Sequence, residues 1–308
     1  VRHSTVIEKI LVPLDGSEQS EGILPYVSKV ATGLGATVVL LSVLDQGSLG
    51  VGRSYFSRLY QRAESGAREG LVAAAGLLVG TGVAVEEVVV SGRSADGIVR
   101  AADAHDCSLI MMSTHGRNAL ARGILGSVTD EVIHSANVPV LAMTPERATT
   151  YRGEDSTLTS VLVALDGSDL AETVLPYVTD LASRLSLEIL LVRVVPPIHA
   201  FWMDHLPEEL SEEQEQAEAD ARNYLEHTAA RLSGSGLSVQ WRLLAGHPTT
   251  AIVELAREMP HDIVALTTHG RSGIARLTMG SVSEAVIRGT GDPVLVVRPL
   301  GVRPPDKV

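Results

Sequence analysis

With 308 residues the chain has room for two domains of about 150 residues each, a common domain size. It is 45% hydrophobic but 3% aromatic, so its cores must be aliphatic, built from Val, Leu, Ile and Ala. The formal net charge of −12 and the lack of a basic stripe argue against nucleic acid as a partner, so an anionic ligand has to be held locally by backbone N–H groups.

In chain order, apolar runs alternate with helical patterns. Ile10–Leu14 reads as a first strand ending at Asp15-Gly16. Ile23, Leu24, Val27, Val30, Ala31 and Leu34 then follow helical spacing, with Pro25 inside the pattern, which predicts a kinked helix. Thr37–Val43 is a second strand, Arg58–Leu78 a helix, Val83–Val90 a third strand and Ala95–Ala104 a helix. Leu109–Met112 is a fourth strand, followed by a loop, a helix over 127–136 and a fifth strand, Val138–Ala142. The single cysteine, Cys107, precedes an apolar run and reads as a buried small hydrophobe, which rules out a disulfide framework. No signal-like segment opens the sequence and no apolar stretch reaches ~18 residues, so a soluble cytoplasmic protein with no membrane partner is expected.

The second half repeats the first. Leu14-Asp15-Gly16-Ser17 returns as Leu165-Asp166-Gly167-Ser168, Leu24-Pro25-Tyr26-Val27 as Leu175-Pro176-Tyr177-Val178, and Thr114-His115-Gly116-Arg117 as Thr268-His269-Gly270-Arg271. Gly126-Ser127-Val128 returns as Gly280-Ser281-Val282, and Pro139-Val140-Leu141 as Pro293-Val294-Leu295. The offset is 151 early and 154 late, so the second copy has three extra residues in its middle. Two copies of this length are a domain duplication rather than a solenoid. The strands of the second copy are Val161–Leu165, Glu188–Val194, Val239–Leu244, Ile263–Leu266 and Val294–Val297. Continuous apolar strands alternating with helices predict, for each copy, an open parallel α/β sheet covered on both faces. The expected domains are residues 1–146 and 159–300, with a linker over 147–158 inside the polar stretch from Pro145, and a tail over 301–308. The repeated closing strands predict that the halves pack against each other with pseudo-two-fold symmetry.

Ligands of such sheets sit beyond the carboxyl ends of the strands, where the winding reverses. The repeated polar residues gather there. Ser113-Thr114-His115-Gly116 is followed after nine residues by Gly126-Ser127-Val128-Thr129. Its copy is Thr267-Thr268-His269-Gly270, then Gly280-Ser281-Val282-Ser283. A glycine lets the backbone approach a ligand, and a helix start offers unpaired N–H groups and a favourable dipole to phosphate. Ser281 with Glu284, and Ser127 with Asp130, also fit a capping box that would use the same donors without a ligand. The turn after strand one has neither a P-loop lysine nor a dinucleotide glycine fingerprint. His115 and His269 can act as bases or merely pack the loop turn, and no nucleophile motif stands beside them. Arg117 and Arg271 can pair with phosphate or stay solvated. Asp15 and Asp166 can cap the following helix while still facing a ligand. The segment with His199, Phe201, Trp202, Met203, Asp204 and His205 belongs to the second copy alone and suits a metal site, a lid or a packing surface. Glu208–Asp220 reads as a solvated helix face.

These motifs resemble the universal stress protein family in its tandem form. The family pattern is G-x-x-G, nine residues, then G-S/T after strand four. It is carried here by Gly116 with Gly126-Ser127 and by Gly270 with Gly280-Ser281, with Ser113 and Thr267 replacing the first glycine. The resemblance implies a five-stranded sheet of order 3-2-1-4-5 and binding of ATP, or of ADP or AMP, with magnesium accompanying the phosphates. It implies Pro13, Asp15, Ala164 and Asp166 at the adenosine, and backbone groups of Val43 and Val194 at the adenine. The phosphates would fall to Ser113, His115, Gly116, Arg117, Gly126, Ser127, Val128 and Thr129. In the second copy they would fall to Thr267, His269, Gly270, Arg271, Gly280, Ser281, Val282 and Ser283. The expected role is regulatory, through conformation or assembly, with a homodimer as a further assembly and at most slow hydrolysis. A ligand-free interaction module and a phosphotransferase are the alternatives.

Overall fold

The structure, a computed structural model, describes residues 5–45, 53–114, 125–144, 147, 158–197, 208–259, 262–268 and 280–299. The first half runs β1 (Lys9–Pro13), α1 (Glu18–Glu21), α2 (Leu24–Leu34), β2 (Thr37–Leu44), α3 (Arg53–Gly76), β3 (Val85–Ser91), α4 (Ser94–Ala104), β4 (Leu109–Ser113), α5 (Ser127–Ser135) and β5 (Val140–Met143). The second runs β6 (Ser160–Ala164), α6 (Asp169–Glu172), α7 (Leu175–Leu185), β7 (Glu188–Val195), α8 (Glu208–Ser233), β8 (Val239–Ala245), α9 (Pro248–Glu258), β9 (Ile263–Thr267), α10 (Ser281–Gly289) and β10 (Val294–Val297).

Among the described residues the ten strands form one sheet in the order β3-β2-β1-β4-β5-β10-β9-β6-β7-β8. Within each half the order is 3-2-1-4-5 and the pairing is parallel, as expected. The halves join through β5 and β10, which pair antiparallel with Leu141 opposite Leu295. Val140 faces Val296 and Ala142 faces Val294, so each half offers equivalent residues and the pseudo-two-fold axis passes the Leu141–Leu295 pair. Apolar β5 and β10 would be hazardous as open edges; pairing each with its own repeat closes both.

Successive strand residues point to opposite faces, and both faces are covered. Ile10, Val12, Leu40 and Leu141 pack with α2, α3, α7 and α8 on one face; Leu11, Leu41, Ile110 and Val140 pack with α4, α5, α9 and α10 on the other. Both layers run through the two halves. On the first face α2 meets α7, where a Cβ on Gly33 would run into Leu185 Cδ2. Arg184 on α7 donates to the carbonyls of Ile7 (2.8 Å) and Leu34, Asp180 accepts from the Ile7 N–H (2.9 Å), and the Tyr26 hydroxyl donates to the Asp262 carbonyl (2.8 Å). The edge strands β3 and β8 expose residues such as Glu86, Glu87 and Gln240.

One expectation is corrected. Pro25 does not kink the helix: α2 starts at Leu24 with Ile23 as its N-cap, so Pro25 stands in the first turn. Its missing N–H costs nothing there and its fixed φ suits a helix start; Pro176 repeats the arrangement in α7. Cys107 is buried, and desolvation pushes its thiol up to about 12. No described helix is long and apolar enough to cross a membrane.

Candidate functional site

The site is built at the carboxyl end of the sheet from the turn after the first strand of each half and the helix start after the fourth. Beyond β1, Leu14 N still donates to Leu41 O (2.8 Å), and the chain then turns through Gly16 at φ +73°. The Asp15 Oδ1 accepts from Ser17 N (3.0 Å) and from the Ser17 hydroxyl, whose oxygen accepts in turn from Ser20 N (3.2 Å) and caps α1. The second half repeats this: Asp166 Oδ1 takes Ser168 N (2.9 Å) and the Ser168 hydroxyl (2.6 Å), and Ser168 caps α6. Ser17 and Ser168 are therefore the helix caps, not Asp15 and Asp166. Each aspartate orders its turn instead, an Asx-type bond across two residues. α1 and α6 lie against β4 and β9, which brings these turns beside the fourth strands.

Past β4, Thr114 N donates to Met143 O (2.9 Å) and Thr114 O accepts from Gly126 N (2.9 Å). The buried Thr129 hydroxyl donates to Ser113 O (3.0 Å). In the second half Gly280 N donates to Thr268 O (2.9 Å) and the Ser283 hydroxyl to Thr267 O (2.8 Å). Strand end and helix start are thus stitched together twice in each copy. A Cβ on Gly126 would lie 2.9 Å from the Thr114 carbonyl oxygen, closer than real Cβ atoms come, and one on Gly280 would lie 3.1 Å from that of Thr268, a tight approach.

These glycines are the N-caps of α5 and α10, with extended backbone and no side-chain cap bond. The capping-box alternative is therefore overturned. Ser127 and Ser281 are the first helical residues and are exposed, one position too late to cap, and Glu284 pairs with Arg288 (2.7 Å) rather than reaching back. The glycine caps themselves offer no carboxylate or hydroxyl to the first N–H groups of the helices, where the dipole favours negative charge.

The structure brings Pro13, Asp15, Val43, Ser113, Gly126, Ser127, Val128 and Thr129 to one edge of the first half. Ala164, Asp166, Val194, Thr267, Gly280, Ser281, Val282 and Ser283 reach the equivalent edge of the second. Val43 is half-buried and packs on Gly97 of α4, where a Cβ would meet Val43 Cγ1 at 2.7 Å. His115, Gly116, Arg117, His269, Gly270 and Arg271, and the 199–205 segment, lie outside the described residues. Among the described residues no cluster of His, Cys, Asp and Glu would hold a metal ion. Sequence reasoning missed the carbonyls of Thr114 and Thr268 as the groups that seat the glycines; the Thr repeated before each His-Gly was the available signal.

The sequence profile of the universal stress protein family matches residues 7–143 and 157–298, one match on each half. The chain belongs to this family. A universal stress protein of Mycolicibacterium smegmatis is 26% identical over 307 residues, covering 94% of this chain and 97% of that protein. One from Mycobacterium tuberculosis is 28% identical over 199 residues, and that match spans 63% of this chain and 63% of the relative's length. Among solved structures, a universal stress protein from Archaeoglobus fulgidus superposes with a TM-score of 0.70 at 22% identity, covering 99% of this chain and 100% of that one. That likeness carries the universal stress fold through both halves.

Proposed function

We propose that this universal stress protein binds an adenine nucleotide at the carboxyl edge of each half, ATP before ADP or AMP, and acts through conformation or assembly rather than turnover. One observation carries the reading: in both copies a helix starts on a glycine, which has no side chain of its own to cap it, stitched to the fourth strand beside the aspartate turn. Its donors are neutral backbone N–H groups. On a chain of net charge −12 they hold a phosphate through local geometry rather than through the global field. In this reading Asp15 or Asp166 faces the ribose, the backbone near Val43 or Val194 faces the adenine, and the N–H groups of Ser127 to Thr129 or Ser281 to Ser283 face the phosphates. Thr129 and Ser283 contribute through the backbone, because their hydroxyls are already committed to strand carbonyls. Magnesium enters with the phosphates.

Ser127→Asp with Ser281→Asp tests the site without touching the glycines. A carboxylate in the first turn of a helix suits the dipole, so stability is held or raised, while the same charge repels a phosphate. ATP affinity by titration calorimetry is expected to fall at least tenfold in the double variant with an unchanged melting point. Full affinity in that variant sinks the site. Phosphate release faster than about 1 per second, an ordinary enzymatic rate, would replace the regulatory reading with an enzymatic one.

A further inference from the structure

The repeat makes each half a control for the other. Buried core residues fix the alignment: Val12 and Leu40 match Val163 and Leu191 at an offset of 151, and Leu71 and Leu78 match Leu225 and Leu232 at 154. Two positions under the aspartate turn then differ together. Ser42 of β2 becomes Arg193 of β7, and Gly70 of α3 becomes Tyr224 of α8.

Arg193 is 8% exposed, an unusual state for a guanidinium. Its Cζ lies 5.2 Å from the centre of the Tyr224 ring, a cation–π stack shielded from water. The guanidinium also lies against Gly167. A Cβ built there would meet Nη1 at 2.7 Å, Cζ at 2.8 Å and Nη2 at 3.0 Å, so the guanidinium is a flat plate under the turn. Burial raises the Tyr224 hydroxyl well above the usual phenol range, and the Glu172 carboxylate adds to this. Glu172, on the helix that follows the turn, is held by Arg231 at 2.6 Å. In the first half no described residue stands within 4 Å of a Cβ placed on Gly70. The turns themselves differ accordingly: Asp15 and Gly16 are exposed, whereas Asp166 and Gly167 are half-buried.

We propose that Arg193, stacked on Tyr224, is a positioning residue that holds the Asp166-Gly167-Ser168 turn in one shape, and that the first half lacks this support. Both turns carry the aspartate–serine bonds, but the second is held further by the guanidinium, so less ordering entropy is left to lose there on binding than in the first. Resting on the nucleotide reading above, this makes the second half the tighter site. Because arginine stays charged throughout the physiological range, the support does not switch with pH.

Amide hydrogen exchange on the ligand-free full chain tests the ordering directly. Residues 166–168 are expected to exchange at least tenfold more slowly than residues 15–17. Arg193→Ser is expected to abolish the difference, and Arg193→Lys, which keeps the charge but not the planar stack, to recover only part of it. Tyr224→Phe keeps the ring and is expected to change nothing. Equal protection of the two turns in the native chain, a comparison that needs no variant, overturns the proposal, as does unchanged protection in Arg193→Ser. ATP titration supplies the readout that a general loss of stability would not move. With the first site disabled by Ser127→Asp, Arg193→Ser is expected to weaken binding about tenfold; with the second disabled by Ser281→Asp, it is expected to leave binding unchanged. Equal weakening at both sites overturns the proposal. If neither half of the native chain binds ATP, the nucleotide reading fails, and the exchange comparison still decides whether Arg193 orders the turn.

Discussion

Gly126 and Gly280 are glycines for a reason that precedes any ligand: the Thr114 and Thr268 carbonyls occupy the space of a side chain. Gly126→Ala is therefore expected to destabilise the fold by about 1–3 kcal/mol, the usual cost of forcing an extra group into a packed site. The urea midpoint of the ligand-free protein checks this, and an unchanged midpoint would show that the approach relaxes freely. The sequence placed a glycine at the opening of each helix, as the structure has it, yet left phosphate binding and side-chain capping open. Ser-x-x-Glu matches a capping box at any register, and only the carbonyl contact shows that the cap falls one residue earlier. Cys107 gives a second residue-scale prediction. Its folded thiol pKa of about 12 lies above its ordinary value of 9.0, chiefly through desolvation, with Lys9 pulling the other way. The fold therefore favours the neutral thiol, and the unfolded chain ionises first. This contribution is intact below pH 9 and is lost as the pH rises from 9 towards 12. The urea midpoint of the native chain is expected to fall more steeply over that window than that of Cys107→Ala, and parallel curves would remove the coupling.

Elements were legible where apolar runs are continuous. Central strands such as Ile10–Leu14 and Val161–Leu165 shift by a single residue in the structure, to Lys9–Pro13 and Ser160–Ala164, because burial on both faces leaves little freedom in where they lie. The short helix α1 was not legible, since residues 16–22 carry no apolar spacing and only the serine cap with acidic residues behind it marks a separate turn of helix. Two glycines in helices separate backbone cost from packing cost. Gly66 is exposed in α3 with no described residue within 4 Å of a Cβ placed there, so Gly66→Ala is expected to stabilise by about 0.5–1 kcal/mol. Gly33 lies where α2 meets Leu185 of the other half, so Gly33→Ala, with the same gain in backbone propensity, is expected to be neutral or destabilising. Chemical denaturation of both variants checks the contrast. A gain at Gly33 as large as at Gly66 would mean that the contact between α2 and α7 is loose.

At the scale of the whole molecule, duplication has produced one sheet rather than two tethered ones. The pairing of β5 with β10 was foreseeable in kind, because each copy ends in an apolar strand that would otherwise stay open. Its register was not, since it depends on how side chains such as Leu141 and Leu295 meet across the axis. Multidomain chains often unfold in separate steps. Here the layer of α2, α3, α7 and α8 is one continuous apolar cluster through both halves, so neither half can lose its packing without stripping the other. Polar bonds cross the same boundary: Tyr26 to the Asp262 carbonyl, Arg184 to the carbonyls of Ile7 and Leu34, and Arg298 to the Ala136 carbonyl (3.0 Å) and the Asn137 side chain (2.9 Å). The ligand-free protein is therefore expected to melt in a single calorimetric transition whose van't Hoff and calorimetric enthalpies agree. Tyr26→Phe leaves the ring in place and removes only the hydroxyl, at a cost of about 0.5–1.5 kcal/mol. It should move that one transition without splitting it, because the lost bond belongs to both halves. Two resolved transitions in the native chain, or a shift confined to one of them in Tyr26→Phe, would mean that the shared sheet does not couple the halves energetically. A ligand bound in one half would then have no route through the sheet to the other.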